Sequence, residues 1–324
     1  MKQSYKIFLL AAEENSISKA AKRAYVTQQC ASDHIRRLEE ECKTPLFERK
    51  PVFRLTEAGK IMLQTLRNLH ILETNMERSI HEIADGSRGS FTVGMSTSRA
   101  QIVLPLVLRR YYEHFPKVTV SFYVNDTVVL EKKLLDGSID LFLGANASLN
   151  PVFHRFPLAL DEMYLIISEQ LFRQYFGKRE LNEFAEGADL SRFTDVPFSL
   201  YYETGAINRM IQQHLLDHGI RLKKTPYHIS DCDTHIFLCS SGLCAALIPK
   251  MLSLRIREHN EKCHPDSFIH IFPVQDFHYP LRIELISHKN VQQPLYVRTF
   301  CEILQEEIHI LTGEAAGFPA RHEL

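Results

Sequence analysis

No uncharged apolar run in this chain reaches the roughly 18 residues that a membrane-spanning helix needs, which excludes helical membrane classes. The apolar stretch Ile7 to Ala12 follows Lys2 and Lys6 but is closed off by Glu13 and Glu14. That is too short for a secretory signal, so a cytoplasmic location without a membrane partner is expected. Metal and catalytic motifs are scarce as well. Sixteen histidines are present, and His259, Cys263 and His264 lie close together, yet there is no pair of Cys-x-x-Cys motifs and no His-Glu-x-x-His. Phosphate loops of the Walker and dinucleotide types are missing, and Ser16 to Lys19 matches Ser-x-x-Lys without a Lys-Thr-Gly partner. These absences argue against an enzyme, and neither a cofactor nor a metal is expected. The seven cysteines read as reduced thiols rather than a disulfide framework, with Cys232 and Cys239 open to either a redox pair or two buried core thiols.

What is present suits two domains, since 324 residues are too many for one typical core. Apolar residues at 45% and charged ones at 24% are ordinary for a folded protein, so disordered and fibrous classes drop out. The net charge of −1 says little, but its distribution says more. Residues 1–60 hold 12 Lys/Arg against 8 Asp/Glu, whereas residues 90–324 hold 23 against 27. The excess positive charge sits where a nucleic-acid footprint would be.

Tyr5, Phe8, Leu9 and Ala12 fall at helical spacing and predict a first helix ending near Asn15. Ser16 is placed to cap a short second helix through Ala20 and Ala21, and Thr27 a third with Ala31, Ile35 and Leu38 inward. The other face of the third helix carries Gln28, Gln29, Ser32, Asp33, Arg36 and Arg37. Alone, such a face reads as solvated. After a short helix and a tight turn it reads as the recognition helix of a helix-turn-helix, where Gln reads adenine and Arg reads guanine or holds phosphate. Pro45 to Leu55 then predicts a β-hairpin wing presenting Arg49, Lys50 and Arg54. Thr56 caps a helix from Glu57 to about Ala84, with Met62, Leu66, Leu69, Leu72, Met76, Ile80 and Ile83 along one seam. A seam this long predicts self-association.

These residues resemble the winged helix-turn-helix of LysR-type transcriptional regulators. The match runs through Phe8, Asn15 to Ala21, Val26-Thr27-Gln28, Ala31-Ser32, Ile35, Leu38-Glu39, Pro45 to Arg49 and Leu55 to Gly59, about sixty residues without a gap. Departures are Gln29 where the family often has Pro, Asp33 where a basic or polar residue is usual, and Cys42-Lys43 in place of Leu-Gly. Asp33 would repel phosphate but is able to accept from cytosine N4, pointing to an unusual operator. The resemblance implies double-stranded DNA as a partner, with Ser16, Ser18 and Thr27 joining the recognition face and the wing as DNA-contacting residues. It also implies a dimer or tetramer on an inverted-repeat site, with RNA polymerase as a further partner.

Beyond a polar break at Asp85 to Ser90, strand-like and helix-like segments alternate: Phe91 to Gly94, Gln101 to Phe115, Val118 to Val124, Thr127 to Asp136 and Ile139 to Gly144. This βαβαβ order predicts a parallel sheet with helices on both faces. The order resembles the family's effector domain, an α/β fold of two subdomains similar to periplasmic binding proteins of type 2. Residues 1–58 are then the DNA-binding domain, 59–89 the linker helix and hinge, and 90–315 the effector domain. Its first subdomain is expected at about 90–160 and 269–315, completed by Ile269 to Val274 or Leu281 to Ile286, and its second at about 161–268. Ligands in such folds sit beyond the carboxyl ends of strands, at helix N-termini that suit anions. Ser96, Thr97 and Ser98 are placed either to hold a carboxylate of a small-molecule effector or simply to cap a helix. Thr127 on the same side, and Tyr201, Tyr202 and Thr204 on the facing subdomain, complete the candidate effector site. The competing readings are a solute-binding module with an unrelated helical head and a cytosolic enzyme. The missing export signal counts against the first and the missing catalytic constellation against the second.

Overall fold

The computed structural model describes residues 1–84, 88–202, 206–289 and 291–313, and within the fourth helix it leaves aside the side chains of 75, 78, 79 and 81–84. Three helices, α1 (Gln3–Glu14), α2 (Ile17–Arg23) and α3 (Gln28–Cys42), enclose the first core. Their starts are set locally. The Ser16 hydroxyl accepts from Lys19 N–H at 3.3 Å and that of Thr27 from Cys30 N–H at 3.2 Å, each relieving a donor that the first helical turn leaves unpaired. Ala11, Ala20, Ala21 and Ala31 are buried where the helices cross, alongside Ile7, Phe8, Ile35 and Leu38. Small side chains there let the backbones approach.

Helix α3 ends on Lys43, whose φ of 53° lies in the left-handed region that favours glycine. Lys43→Gly is therefore expected to stabilise the domain by about 0.5–1 kcal/mol, read as a higher midpoint in urea.

The wing is strand β1 (Phe47–Glu48) paired antiparallel with β2 (Arg54–Leu55), Phe47 facing Leu55. Phe47 anchors it, packing on Phe8 at 5.1 Å and stacking on Phe53 at 4.6 Å between ring centres. Thr56 then accepts from Gly59 N–H at 3.0 Å and opens α4 (Glu57–Ala84), 28 residues and about 42 Å long. Its seam is not uniform. Leu66 is buried and Met62 partly buried in the N-terminal core, and Ile71 packs toward Gly137 of the next domain. Leu69, Leu72, Met76 and Ile80 remain exposed. The side chain of Ile83 lies outside the described residues.

The rest of the chain forms two five-stranded sheets. The first takes β3 (Gly89–Met95), β4 (Val118–Val124), β5 (Leu141–Ala145), β6 (Phe153–Asp161) and β12 (Leu281–His288) in the order β4-β3-β5-β12-β6. Helices α5 (Thr97–His114) and α6 (Thr127–Leu135) make the crossovers, so β3, β4 and β5 are parallel. The parallel sheet expected of the βαβαβ segment is thus present, and the returning strand β12 adds to it antiparallel to both β5 and β6. No helical crossover precedes β12, so nothing enforces the parallel sense there. Helix α12 (Leu295–Thr312) covers the sheet, with Tyr296 and Phe300 against Phe91 and Tyr111.

The second sheet takes β7 (Met163–Ser168), β8 (Phe198–Tyr201), β9 (Tyr227–Ile229), β10 (Ala245–Pro249) and β11 (Ile269–Pro273) in the order β11-β7-β10-β8-β9. Helices α7 (Glu169–Tyr175), α8 (Lys178–Glu186), α9 (Ala206–Asp217), α10 (Cys232–Ser240) and α11 (Ser253–Asn260) connect or flank these strands. Of the two candidate return strands, Leu281–His288 enters the first sheet, while Ile269–Pro273 pairs with β7 in the second. The second subdomain by strand pairing therefore extends past 268. The chain crosses between sheets at Glu162 and again at 274–280.

Candidate nucleic-acid interface and effector cleft

On α3, Gln28, Gln29, Arg36 and Arg37 are exposed and Ser32 and Asp33 half-buried, as expected of one outward face. Thr27, Gln29, Cys30, Asp33, His34 and Arg37 line a shallow groove at the start of this helix. The charges on the face are not equivalent. Arg36 lies 3.0 Å from Asp33 and 3.8 Å from Glu40, so much of its charge is already answered. Arg37 has no carboxylate partner among the described residues. Asp33 is thus held by a neighbouring cation, which removes most of the repulsion that its sequence position suggests.

Thr27 spends its hydroxyl on the cap, as does Ser16, whereas Ser18 is exposed beside it. In the wing, Arg49 bonds Glu39 at 3.2 Å and Arg54 bonds Glu48 at 2.5 Å, while exposed Lys50 has no carboxylate partner among the described residues. Glu39 also accepts from the N–H groups of Leu46 and Phe47, at 2.9 and 3.2 Å, tying the wing to α3. Sequence reasoning missed Tyr25, which is 96% exposed in the turn before α3 with a φ of 56°.

Between the two sheets, Ser98 at the start of α5 donates to Asp233 of α10 at 3.2 Å, and Arg255 of α11 bonds Gln101 of α5. The hydroxyl of Tyr201 lies 3.2 Å from the thiol of Cys232. Ser96, Ser98 and Tyr201 are therefore gathered at one cleft. Thr97 is exposed there without a partner among the described residues, and Tyr202 is exposed beyond Tyr201. Thr127 accepts from Ala145 N–H at 3.2 Å, which commits its hydroxyl to supporting β5. Thr204 lies outside the described residues.

The cleft also holds groups that sequence reasoning passed over. Arg99 is buried in the first turn of α5, and burial pulls its pKa down. Asp161, at the end of β6, is 1% exposed and its carboxyl is pushed up to about 6 by burial, against the pull of Arg99 and of a bond from Met251 N–H. Burial likewise pushes the Cys232 thiol up to about 11, and holds His235, whose ring is tilted against that of Tyr201 with 4.2 Å between centres, down to about 4. Cys239 is buried with its pKa raised as well. Neither thiol of the suggested redox pair is in a disulfide, and burial disfavours the thiolate of each, Cys239 lying in the core and Cys232 half-buried against it. Arg99 follows Ser98 directly and was legible as a base in a helix's first turn. Nothing local marks Asp161 or His235.

Residues 3–60 match the family model "Bacterial regulatory helix-turn-helix protein, lysR family", and residues 84–308 match "LysR substrate binding domain". Among curated proteins, the HTH-type transcriptional regulator YtlI of Bacillus subtilis (strain 168) is 27% identical over 223 residues, covering 68% of this chain and 70% of its own. The regulator CzcR of Bacillus thuringiensis (strain Al Hakam) is 22% identical over 94% of this chain and 93% of its own. Among solved structures, full-length CbnR with its target DNA covers 94% of this chain and 99% of its own at 22% identity and a TM-score of 0.58. A full-length OxyR variant from Pseudomonas aeruginosa covers 98% and 99% at 18% identity and 0.66. The BenM effector binding domain with its effector benzoate covers 72% and 99% at 17% identity and 0.56. These relatives are regulators, not enzymes. Among the described residues, no helix is long and apolar enough to cross a membrane. With both of its domains matched in order, the chain belongs to the LysR family of DNA-binding transcriptional regulators, whose second domain binds a small-molecule effector.

Proposed function

We propose that α3 enters the major groove of double-stranded DNA, with Gln28, Gln29 and Ser32 toward base edges and Arg37 on a base or phosphate. The single observation that carries this reading is the outward face of α3, where a guanidinium with no carboxylate partner among the described residues sits beside exposed amide side chains. Ser18, Lys50 and the wing arginines hold the flanking backbone, and Arg49 and Arg54 are positioned by Glu39 and Glu48 for that task. Asp33 sets Arg36 in place. The exposed stripe Leu69, Leu72, Met76 and Ile80 supports pairing through α4, and a tetramer built from two such pairs suits an inverted repeat. An effector bearing a carboxylate sits at Ser96, Thr97, Ser98 and Tyr201 in the cleft, and its closure reorients the reading heads. A cytoplasmic site of action and contact with RNA polymerase complete the proposal.

Capture of random DNA by the purified protein tests it: a preferred inverted-repeat site is expected at moderate salt, and recovery of no preferred site overturns it. Arg37→Ala is expected to weaken that site by about 1–3 kcal/mol, and Arg36→Ala by less, because Asp33 and Glu40 already answer its charge. Titrations at several salt concentrations separate the roles. A base contact relaxes specificity at one position, whereas a phosphate contact lowers the salt slope by about one.

A further inference from the structure

Arg99 is 9% exposed and its guanidinium folds back on the start of its own helix, where one Nη donates to Ser96 Oγ at 3.2 Å. Its Nε is shielded from solvent and has no acceptor among the described residues. Among the described residues no carboxylate lies within ion-pair distance of it. Asp161 attracts it from further off, but that carboxyl is itself buried, with one oxygen bonded by Met251 N–H at 3.1 Å. A buried cation without an adjacent anion is costly, because the protein replaces only part of its hydration.

Two other features converge on the same place. Ser96 is the residue before α5, yet its side chain makes no cap bond, so the N–H groups of Thr97, Ser98 and Arg99 lack helical partners and present the positive end of an 18-residue helix. Across the cleft stand neutral groups, the Tyr201 hydroxyl and the Cys232 thiol, 3.2 Å apart. Among the described residues, the acidic groups around are Asp161, Asp231, which caps α10 through Thr234 N–H, and Asp233, shared by Ser98 and Arg255. Of the two cations here Arg255 is already answered by Asp233, and the one remaining guanidinium, that of Arg99, suits a singly charged group rather than a dianion.

We propose that Arg99 is the counter-ion of the effector, seating a compact monocarboxylate between its guanidinium and the first turn of α5. This rests on the reading of the cleft as the effector site and assigns the group that selects for charge there. Neutral isosteres such as amides leave Arg99 unanswered and are rejected.

The test is thermal unfolding of the full chain in acetate, acetamide, inorganic phosphate and chloride, matched for ionic strength, for the natural protein and for Arg99→Met, Arg99→Gln and Arg99→Lys. Acetate is expected to raise the Tm of the natural chain by about 2–4 °C over chloride, with acetamide and phosphate giving less. Arg99→Lys keeps part of the rise, and Arg99→Met and Arg99→Gln lose it. An equal acetate response in Arg99→Met, no response in the natural chain, or a larger rise with phosphate overturns the proposal. Operator affinity measured in the same solutions separates the two readings. If acetate protects through Arg99 while DNA affinity stays constant, the anion site stands and control of DNA binding from the cleft fails.

Discussion

Asp161→Asn is expected to raise the stability of the effector domain at pH 7 by roughly 3 kcal/mol. The Asp161 carboxyl, ordinarily near 3.8, is pushed up to about 6 because burial at 1% exposure strips its hydration, and the attraction of Arg99 does not make up for it. At about 1.4 kcal/mol for each tenfold change in proton affinity, holding it ionised costs roughly 3 kcal/mol. Asparagine resembles the protonated acid and keeps an oxygen for Met251 N–H, so that cost disappears. The sign follows from the raised value: the stability contributed by protonated Asp161 is full below about 3.8 and is lost as pH rises through about 6. His235 acts the other way. Its value is depressed to about 4, so its contribution is present above 6.5 and is lost as pH falls toward 4. In the natural chain the two slopes oppose each other between about 4 and 6. The variant keeps only the histidine slope, so its stability falls more steeply with acid and meets the natural curve near pH 4. Urea unfolding from pH 4 to 8 checks this, and a variant less stable than the natural chain at pH 7 refutes it.

Gly59→Ala is expected to abolish operator binding while leaving the effector domain's unfolding transition in place. A β-carbon at Gly59 would stand 2.0 Å from the carbonyl oxygen of Leu46 and 2.9 Å from Leu55 Cδ2. That carbonyl is not free to retreat, since it accepts from Thr56 N–H at 3.0 Å, and the Thr56 hydroxyl bonds the Pro45 carbonyl at 2.8 Å. The methyl group therefore drives α4 and the wing apart, at about 3 kcal/mol, the upper end for forced overpacking. Calorimetry should show a lowered first transition and an unchanged second one, and a gel-shift titration should show no specific complex. Normal DNA affinity in this variant would mean that the wing's seating on α4 is irrelevant to binding.

The N-terminal domain was legible almost throughout because its determinants are local. Ser16, Thr27 and Thr56 each cap a helix through a bond to a residue three positions on, and Ala31, Ile35 and Leu38 repeat at the helical period. Even the departure at Cys42-Lys43 had a local meaning, since Lys43 occupies the left-handed position that the family fills with glycine. Asp33 was legible as an anomaly but not as a resolved one. Its pairing with Arg36 depends on rotamers that spacing alone does not choose.

In the second domain, local reasoning failed wherever the chain crosses between sheets. The strands Ile269–Pro273 and Leu281–His288 look alike as sequence, and only the pairing of the first with β7 and of the second with β5 and β6 assigns them to different sheets. The seam of α4 shows the same divide. Its period was readable, but burial of Leu66 and Ile71 and partial burial of Met62, against exposure of Leu69, Leu72, Met76 and Ile80, follows from which parts of the molecule lie alongside.

Caps, helical period and an ungapped motif were thus enough to make this chain a DNA reader joined to an α/β sensor, because each is encoded within a few residues. The direction of β12 and the gathering of Arg99, Asp161, Tyr201 and Cys232 in one region were decided by the tertiary structure alone. Those residues lie tens of positions apart, and their chemistry depends on burial, which a residue acquires only from the rest of the fold.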